Sequence, residues 1–495
     1  MRTQTLLATT IALLVFSPSA RAAEAIKAID RFPARLDAPP ALDLRRTSLP
    51  APLAETFDLH SCPGATKVIY LDFNGHSGFE GDYAPFNFEG TPDTFSEAEL
   101  ATIQLSWHSV SEDFLPFEVD VTTEDPGVEA LRNTGGSDTE WGIRCVVSAS
   151  NWDYSWAYVG SFNWDTDYES QVYPGDNSWI WIADSASHEV GHSLYLAHDG
   201  GGGDGEYYAG HGAGATYWSP IMGWTGWTGV SQWSKGEYGG ADNQEDDLEI
   251  ITTQNGFGYR DDDHGSTTVS ATPITLGAGE FLLVAEGIIE RTEDLDFFAF
   301  TLPVAGHLRF RIEPDSLNAN LDILAKLYDA GGAVLDRSNP PDSLHAEFDL
   351  HLAAGDYFLS VDGTGFGNPP ADGYTDYACL GYFSVKARVC DLEVTLSNYP
   401  PSIGLGETLS FRADVTNRCD APLTFDQALL NITGPASRQQ VLYDGAPFTV
   451  ETSVGTDLSL GVPPVAPVGT YAVEVTTYRD AEIIDADAFE VEVIE

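Results

Sequence analysis

Basic residues are scarce in this chain: 23 Lys and Arg stand against 76 Asp and Glu in 495 residues, a formal net charge of -53. Such a surface repels phosphate backbones and anionic headgroups, so nucleic acid is excluded as a partner. Long apolar runs are lacking too. The run Leu6 to Phe16 is too short to span a bilayer, and no later stretch reaches about 18 apolar residues, so no membrane insertion is expected. That first run follows Arg2 and precedes the small residues Ala20-Arg21-Ala22, the pattern of an export signal cleaved after Ala22. A secreted, extracellular, monomeric protein is expected, periplasmic only in transit. Methionine occurs twice, at the initiator and at Met222. Cysteine occurs five times, an odd count that leaves at least one thiol outside any disulfide, with Cys390–Cys419 and then Cys62–Cys145 as candidate pairs.

The acids are spread along the chain, as a hydrated surface requires, and some could also bind calcium. Residues 23–60 are rich in Pro, Arg and Ala and read as a linker or pro-segment that packs weakly or is removed. Next comes a strand pattern at Lys67 to Phe73. Ser96 to Phe117 carries apolar residues at helical spacing behind SEAE, a capping-box start. Strands are expected at Glu118 to Thr122, Gly142 to Ser148 and Trp179 to Ala183, then a helix from near Asp184. From His198 to about Gly240 the chain is glycine-rich and aromatic, and a loop that long inside a domain is usually functional. Asn243 to Thr253 predicts a closing helix. The fold class expected for residues 61–256 is α/β (α+β), with a mixed sheet and an active-site helix. Two all-β sandwiches, 257–388 and 389–495, should follow.

The chemistry concentrates in HEVGHSLYLAHD, His188 to Asp199. On a helix, His188 and His192 face one side within reach of one ion, and Glu189 can reach a water on that ion. His198 lies ten residues after His188 (198 minus 188) and supplies a third imidazole once the helix ends. Asp199 and His211 are substitutes for it. Met222 lies 24 residues beyond His198 (222 minus 198), where a flexible thioether suits packing beneath a metal.

These residues resemble the metzincin metallopeptidases, whose pattern is HExxHxxGxxH followed by a methionine-containing turn. The resemblance implies that His188, His192 and His198 bind one catalytic Zn2+, that Glu189 is the general base, and that Met222 forms the turn beneath the metal. It also implies that NQEDDLEII is the final catalytic helix. The stretches HSCPGATKVIYLDFNGH, SEDFLPFEVDVTTEDPG, AYVGSFNW and SQWSKGEYGGADNQEDDLEII are similar to bacterial secreted metzincins with pre-peptidase C-terminal domains. One position departs: Tyr195 stands where the pattern has glycine, and a β-carbon resists the left-handed turn by about 1–2 kcal/mol. Three protein ligands with an open fourth position imply a water acidified by zinc and deprotonated by Glu189, acting on protein or peptide substrates. Trp224, Trp227 and Tyr217 are candidate pocket residues, and Cys62 is a candidate latency thiolate. The rival is a catalytically inactive zinc-containing adhesin or binding protein; zinc hydrolysis of a non-peptide bond is a third reading.

Residues 257–388 resemble the pre-peptidase C-terminal domain through YRDDDHGSTTVSATPI, NLDILAKLYDAGG and LAAGDYFLSVDGTG. Within the first of these, Asp261, Asp262 and Asp263 are a candidate Ca2+ site. Residues 389–495 alternate as an immunoglobulin-like sandwich does.

Overall fold

The structure is a computed structural model describing residues 25–31, 49–90, 94–150, 153–201, 205–225, 228–276, 282–302, 305–389, 392–418, 423–479 and 482–494. The expected signal segment, Trp227 and the Cys390–Cys419 pair lie outside them. Two compact units result. One holds residues up to Ala213, Tyr217–Arg260 and Gly367–Tyr374; the other holds Gly214–Thr216, Asp261–Phe366 and Thr375–Glu495.

In the first unit the chain runs β1 (Lys27–Asp30), β2 (Lys67–Asp72), a small hairpin β3 (His76–Ser77) and β4 (Asp82–Tyr83), and α1 (Glu97–Asp113). Then come β5 (Asp120–Thr122), β6 (Trp141–Val147), β7 (Ser155–Tyr158), β8 (Ser170–Val172), α2 (Trp179–Ser193), β9 (Trp218–Pro220), β10 (Val230–Gln232) and α3 (Asp247–Gln254). Six strands form one mixed sheet in the order β1-β7-β8-β6-β2-β5. The β8-β6-β2-β5 pairings are parallel, whereas β7 is antiparallel to both β8 and β1. Parallel central strands are buried on both faces, which accounts for KVIYLD and WGIRCVV being nearly continuous apolar runs. The charge within β6 is paired: Arg144 meets Asp72 of β2 at 2.6 Å and Asp167 at 2.9 Å, with all three side chains buried.

The capping box is present, with Ser96 accepting from the Glu99 amide and Glu99 from the Ser96 amide. Helix α1 packs on α2, where Ser187 Oγ donates to Asp113 Oδ2 at 2.5 Å and Ser106 Oγ to the Trp179 carbonyl at 3.1 Å. Two expectations need correction. Trp179 to Ala183 is not a strand but the start of α2, capped by Ser178, whose side chain accepts from the Trp181 amide. The aromatic and β-branched alternation of WIWIA suits a strand as well as a helix, and packing decided: Trp181 Nε1 donates to the Tyr173 carbonyl at 3.1 Å. Nor do residues 23–60 pack weakly wherever they are described. Strand β1 joins the sheet, and Gln104 of α1 bonds the Ala51 amide and the Pro52 carbonyl.

The second unit is built of β-sheets. Between residues 272 and 389, a five-stranded and a four-stranded sheet face each other through ring pairs such as Phe300–Phe310 at 5.2 Å. Between 392 and 494, a three-stranded and a five-stranded sheet enclose a core centred on Phe411 and Phe489, 5.2 Å apart. Both fit the β-sandwich class. Cys62 and Cys145 are separate free thiols, not a pair: Cys145 is buried in β6, and Cys62 precedes β2 in a loop beside Asp120.

Candidate metal centre

Helix α2 carries His188, Glu189 and His192, all buried. The Nδ1 of His188 lies 2.9 Å from the Ile221 carbonyl, and that of His192 lies 2.8 Å from the Leu196 carbonyl. An imidazole that donates from Nδ1 presents a lone pair at Nε2, the usual second-shell arrangement around a metal. Burial lowers the His188 pKa to about 4, against the pull of Asp30, so the ring is neutral and ligand-competent near pH 7.

The turn after α2 brings in the third ring. The Leu196 amide donates to the Gly191 carbonyl and the Tyr195 amide to the His192 carbonyl, both at 3.0 Å, the paired bonds of a Schellman motif. Tyr195 occupies its left-handed position with φ 82°, so the side chain tolerates the conformation usually given to glycine. Its ring lies against Gly160, where an added Cβ would sit 2.1 Å from Tyr195 Cε1. His198 then returns to the helix, with ring centroids 5.3 Å from His188 and 4.6 Å from His192. Met222 is fully buried beneath α2, where a Cβ on Gly191 would approach its sulfur to 2.4 Å. Its carbonyl accepts the Asp199 amide at 2.8 Å.

A carboxylate stands beside the three rings. Asp30 of β1 stands 2.6 Å from His198 Nε2, 3.5 Å from His188 Nε2 and 3.6 Å from His192 Nε2. One donor atom from each of these four residues lies within 4.8 Å of the others, a group that could hold a metal ion. Tyr207 Oη donates to Asp30 Oδ1 at 2.8 Å. Burial opposes charge on Asp30, but the three imidazoles outweigh it and hold the carboxyl well below the usual range. Glu189 experiences the reverse, since burial and the neighbouring Asp30 push its pKa well above normal. Both Glu189 oxygens and His192 Nε2 are buried without a hydrogen-bond partner. Buried polar atoms left this way call for an explanation, and a cation or a water fits this donor set.

Other expected residues fall as follows. Trp224 lines a cleft over His188 together with Trp181, Asp184, Ser185, Ile221, Gly223 and Thr225. Tyr217 does not line it; its hydroxyl donates to the Ala209 carbonyl at 3.1 Å. His211 lies outside the group, bonded to Tyr208 and the Gly373 carbonyl. Asp199 is buried and does not belong to the group, and burial beside Glu245 and Asp242 raises its pKa to about 7. Cys62 does not belong to the group. Its amide bonds Asp120 on β5, at the opposite edge of the sheet from β1, and burial raises its thiol pKa. Neither Asp30 nor Tyr207 could be found from sequence, because nothing local to KAID or to the Gly-rich stretch around Tyr207 marks a contact so distant along the chain.

In the second unit, Asp262 groups with Glu290 and Asp294, and again with Asp263 and Asp296. Asp261 belongs to neither group; Asp262 and Asp263 are exposed as it is, and the buried members are Glu290, Asp294 and Asp296. Burial, with Asp294 adding repulsion, lifts Glu290 to about 10 and Asp296 to about 9. Glu290 Oε2 and both Asp296 oxygens are buried without partners.

No family model matches the chain, and no curated protein matches it. Among solved structures, it is similar to the pre-peptidase C-terminal domain of a Bacillus anthracis collagenase at 11% identity, covering 24% of this chain and 96% of that one, with a TM-score of 0.18. The CARDB domain of PF1109 from Pyrococcus furiosus gives 16% identity, 21% and 95% coverage and a TM-score of 0.17. For the Bacillus subtilis sporulation control protein Spo0M the values are 11% identity, 21% of this chain and a TM-score of 0.17, and this chain spans about half of that protein, 49%. Likenesses of this size carry no argument about function. Among the described residues no helix is long and apolar enough to cross a membrane.

Proposed function

We propose that the chain is a secreted zinc-dependent endopeptidase of metzincin type. The observation that carries the reading is the grouping of two buried imidazoles and Glu189 on helix α2 with a third, partly buried imidazole, His198, returned to them by the turn that follows. Imidazole nitrogens with carbonyl-bound second nitrogens suit zinc better than calcium or magnesium. When bound, zinc supplies a Lewis acid and lowers the pKa of water. The chain supplies the rest. Glu189 takes a proton from the attacking water and returns it to the leaving amine. Carbonyl bonds to His188 and His192 fix the ring orientations.

A second reading has its own observation. Four protein donors make a closed site, the pattern of structural zinc, and this favours the inactive adhesin. A base held beside the metal has no use in a structural site, so the peptidase is preferred. The test measures casein and gelatin cleavage and zinc content for the full chain and for Glu189→Ala, before and after limited trypsin treatment. The parent should cleave after treatment and lose activity to a chelator, and the zinc-loaded variant should be slower by about a hundredfold or more. If both carry one zinc and neither cleaves, the adhesin reading replaces this one.

We also propose that Asp262, Asp263, Glu290, Asp294 and Asp296 take Ca2+, since hard carboxylate oxygens in that number suit it.

A further inference from the structure

We propose that the sandwich between residues 392 and 494 binds a free fatty acid: the aliphatic chain lies in a cavity between its two sheets, and Arg438 and Ser437 hold the carboxylate at the rim.

The cavity has a volume of about 320 Å3. Its walls are cross-strand pairs. In the three-stranded sheet Leu409 lies opposite Leu460, and in the five-stranded sheet Ile432 lies opposite Val473 and Tyr471 opposite Val491. The only polar group among these six side chains is spent, since Tyr471 Oη donates to the Pro467 carbonyl at 2.9 Å. Close-packed interiors leave few voids larger than a water molecule. A space this large, walled by Leu, Ile and Val, has little to hold water in place and favours an apolar guest. Its volume sits at the lower end of small-molecule sites, roughly 300–1,000 Å3, which suits an aliphatic chain of medium length.

The rim is built by backbone hydrogen bonds. The Val462 amide donates to the Glu407 carbonyl at 2.9 Å, the Gly406 amide to the Val462 carbonyl at 3.0 Å, and the Ala466 amide to the Pro463 carbonyl at 3.0 Å. Pro463, Pro464 and Pro467 restrict this stretch further. A mouth held in shape before the guest arrives loses little entropy on binding. Val465, 89% exposed, carries the apolar lining out to solvent.

The charge at the rim selects the guest's other end. Arg438 lies directly opposite Ile432 in the strand pairing, and directly opposed residues project from one face, so the guanidinium shares the face that Ile432 turns to the cavity. Arg412 and Arg418 of the same sandwich are committed to Asp414 and Glu393, whereas Arg438 has no ion pair among the described residues. At a net charge of -53 the surface at large repels anions, and an uncommitted arginine marks the place where one is accepted. A guanidinium fork matches a carboxylate with two parallel hydrogen bonds. The neighbouring Ser437 hydroxyl, also on the lining, adds a donor.

The experiment titrates the full chain with decanoate and, separately, with decanol by calorimetry, as wild type, Arg438→Glu and Ile432→Trp. Wild type should bind one decanoate. Arg438→Glu should weaken decanoate by about tenfold or more and leave decanol within about twofold, because only the carboxylate needs the guanidinium. Ile432→Trp fills the cavity and should weaken both by about tenfold or more. Arg438 is exposed, so its variant gives the answer even where Ile432→Trp fails to fold. Absence of decanoate binding by wild type would overturn the proposal. So would a decanoate affinity indifferent to Arg438→Glu, which would place the anion elsewhere on the chain, the metal centre included.

Discussion

At Tyr195 one residue carries a cost and its compensation together. The left-handed backbone costs about 1–2 kcal/mol for a residue with a β-carbon, yet the same turn presents the Leu196 carbonyl to His192 and lays the tyrosine ring on Gly160. Gly160 is itself left-handed at φ 76°, so a methyl there meets both backbone strain and the ring. Gly160→Ala should therefore destabilise the first unit by about 2 kcal/mol or more in denaturant unfolding and weaken zinc retention through the displaced turn. An alanine variant within about 0.5 kcal/mol of the parent would show that the ring moves aside freely. The same turn explains what could be read from sequence at this scale. His188, Glu189 and His192 follow from helix geometry alone, and the one positional doubt, a tyrosine in a glycine slot, is answered only by knowing what its ring touches.

Elements were legible where one periodicity dominated and illegible where two were satisfied at once. The SEAE start and the apolar spacing behind it fix α1, and Asp246 caps α3 by accepting the Glu249 amide at 2.9 Å. The first turns of α2 alternate like a strand, so only their packing identifies them. Strand β1 was beyond reach for another reason: its partner, β7, is more than a hundred residues away, and four residues reading KAID carry no pattern. Within the sheet, Arg144 offers a direct test of element energetics. Its guanidinium joins β6 to Asp72 on β2 and to Asp167 before β8, and it is buried with both. Arg144→Ala leaves two buried carboxylates uncompensated, and a loss of about 3–5 kcal/mol is expected from urea unfolding. Restoration by an added Asp72→Asn change would confirm that the stranded charge, and not lost packing, is responsible.

For the molecule as a whole, the scarcity of positive charge recurs as buried carboxylates that must be neutralised. Glu290 near 10 and Asp296 near 9 both lie above the unfolded value of about 4. Without a cation, their contribution to the second unit's stability is complete below about pH 4 and is lost as pH rises through those folded values. A bound calcium ion would displace the protons, so its stabilising effect should grow with pH. An unfolding-temperature rise of about 3 °C or more at pH 8, and less than half of that at pH 5, is expected on adding calcium to chelator-treated protein. Equal shifts at the two pH values would mean that the carboxylates bind no cation there. The site itself has a further consequence. Asp30 meets His198 across 168 residues (198 minus 30), after β7 and α2 have each found their place. Contacts of such separation form late in folding, because loop closure precedes any reward from them. Completion of the four-residue group thus becomes a signal of finished folding: in a chain stalled partway the helix histidines are in place while Asp30 has yet to reach them.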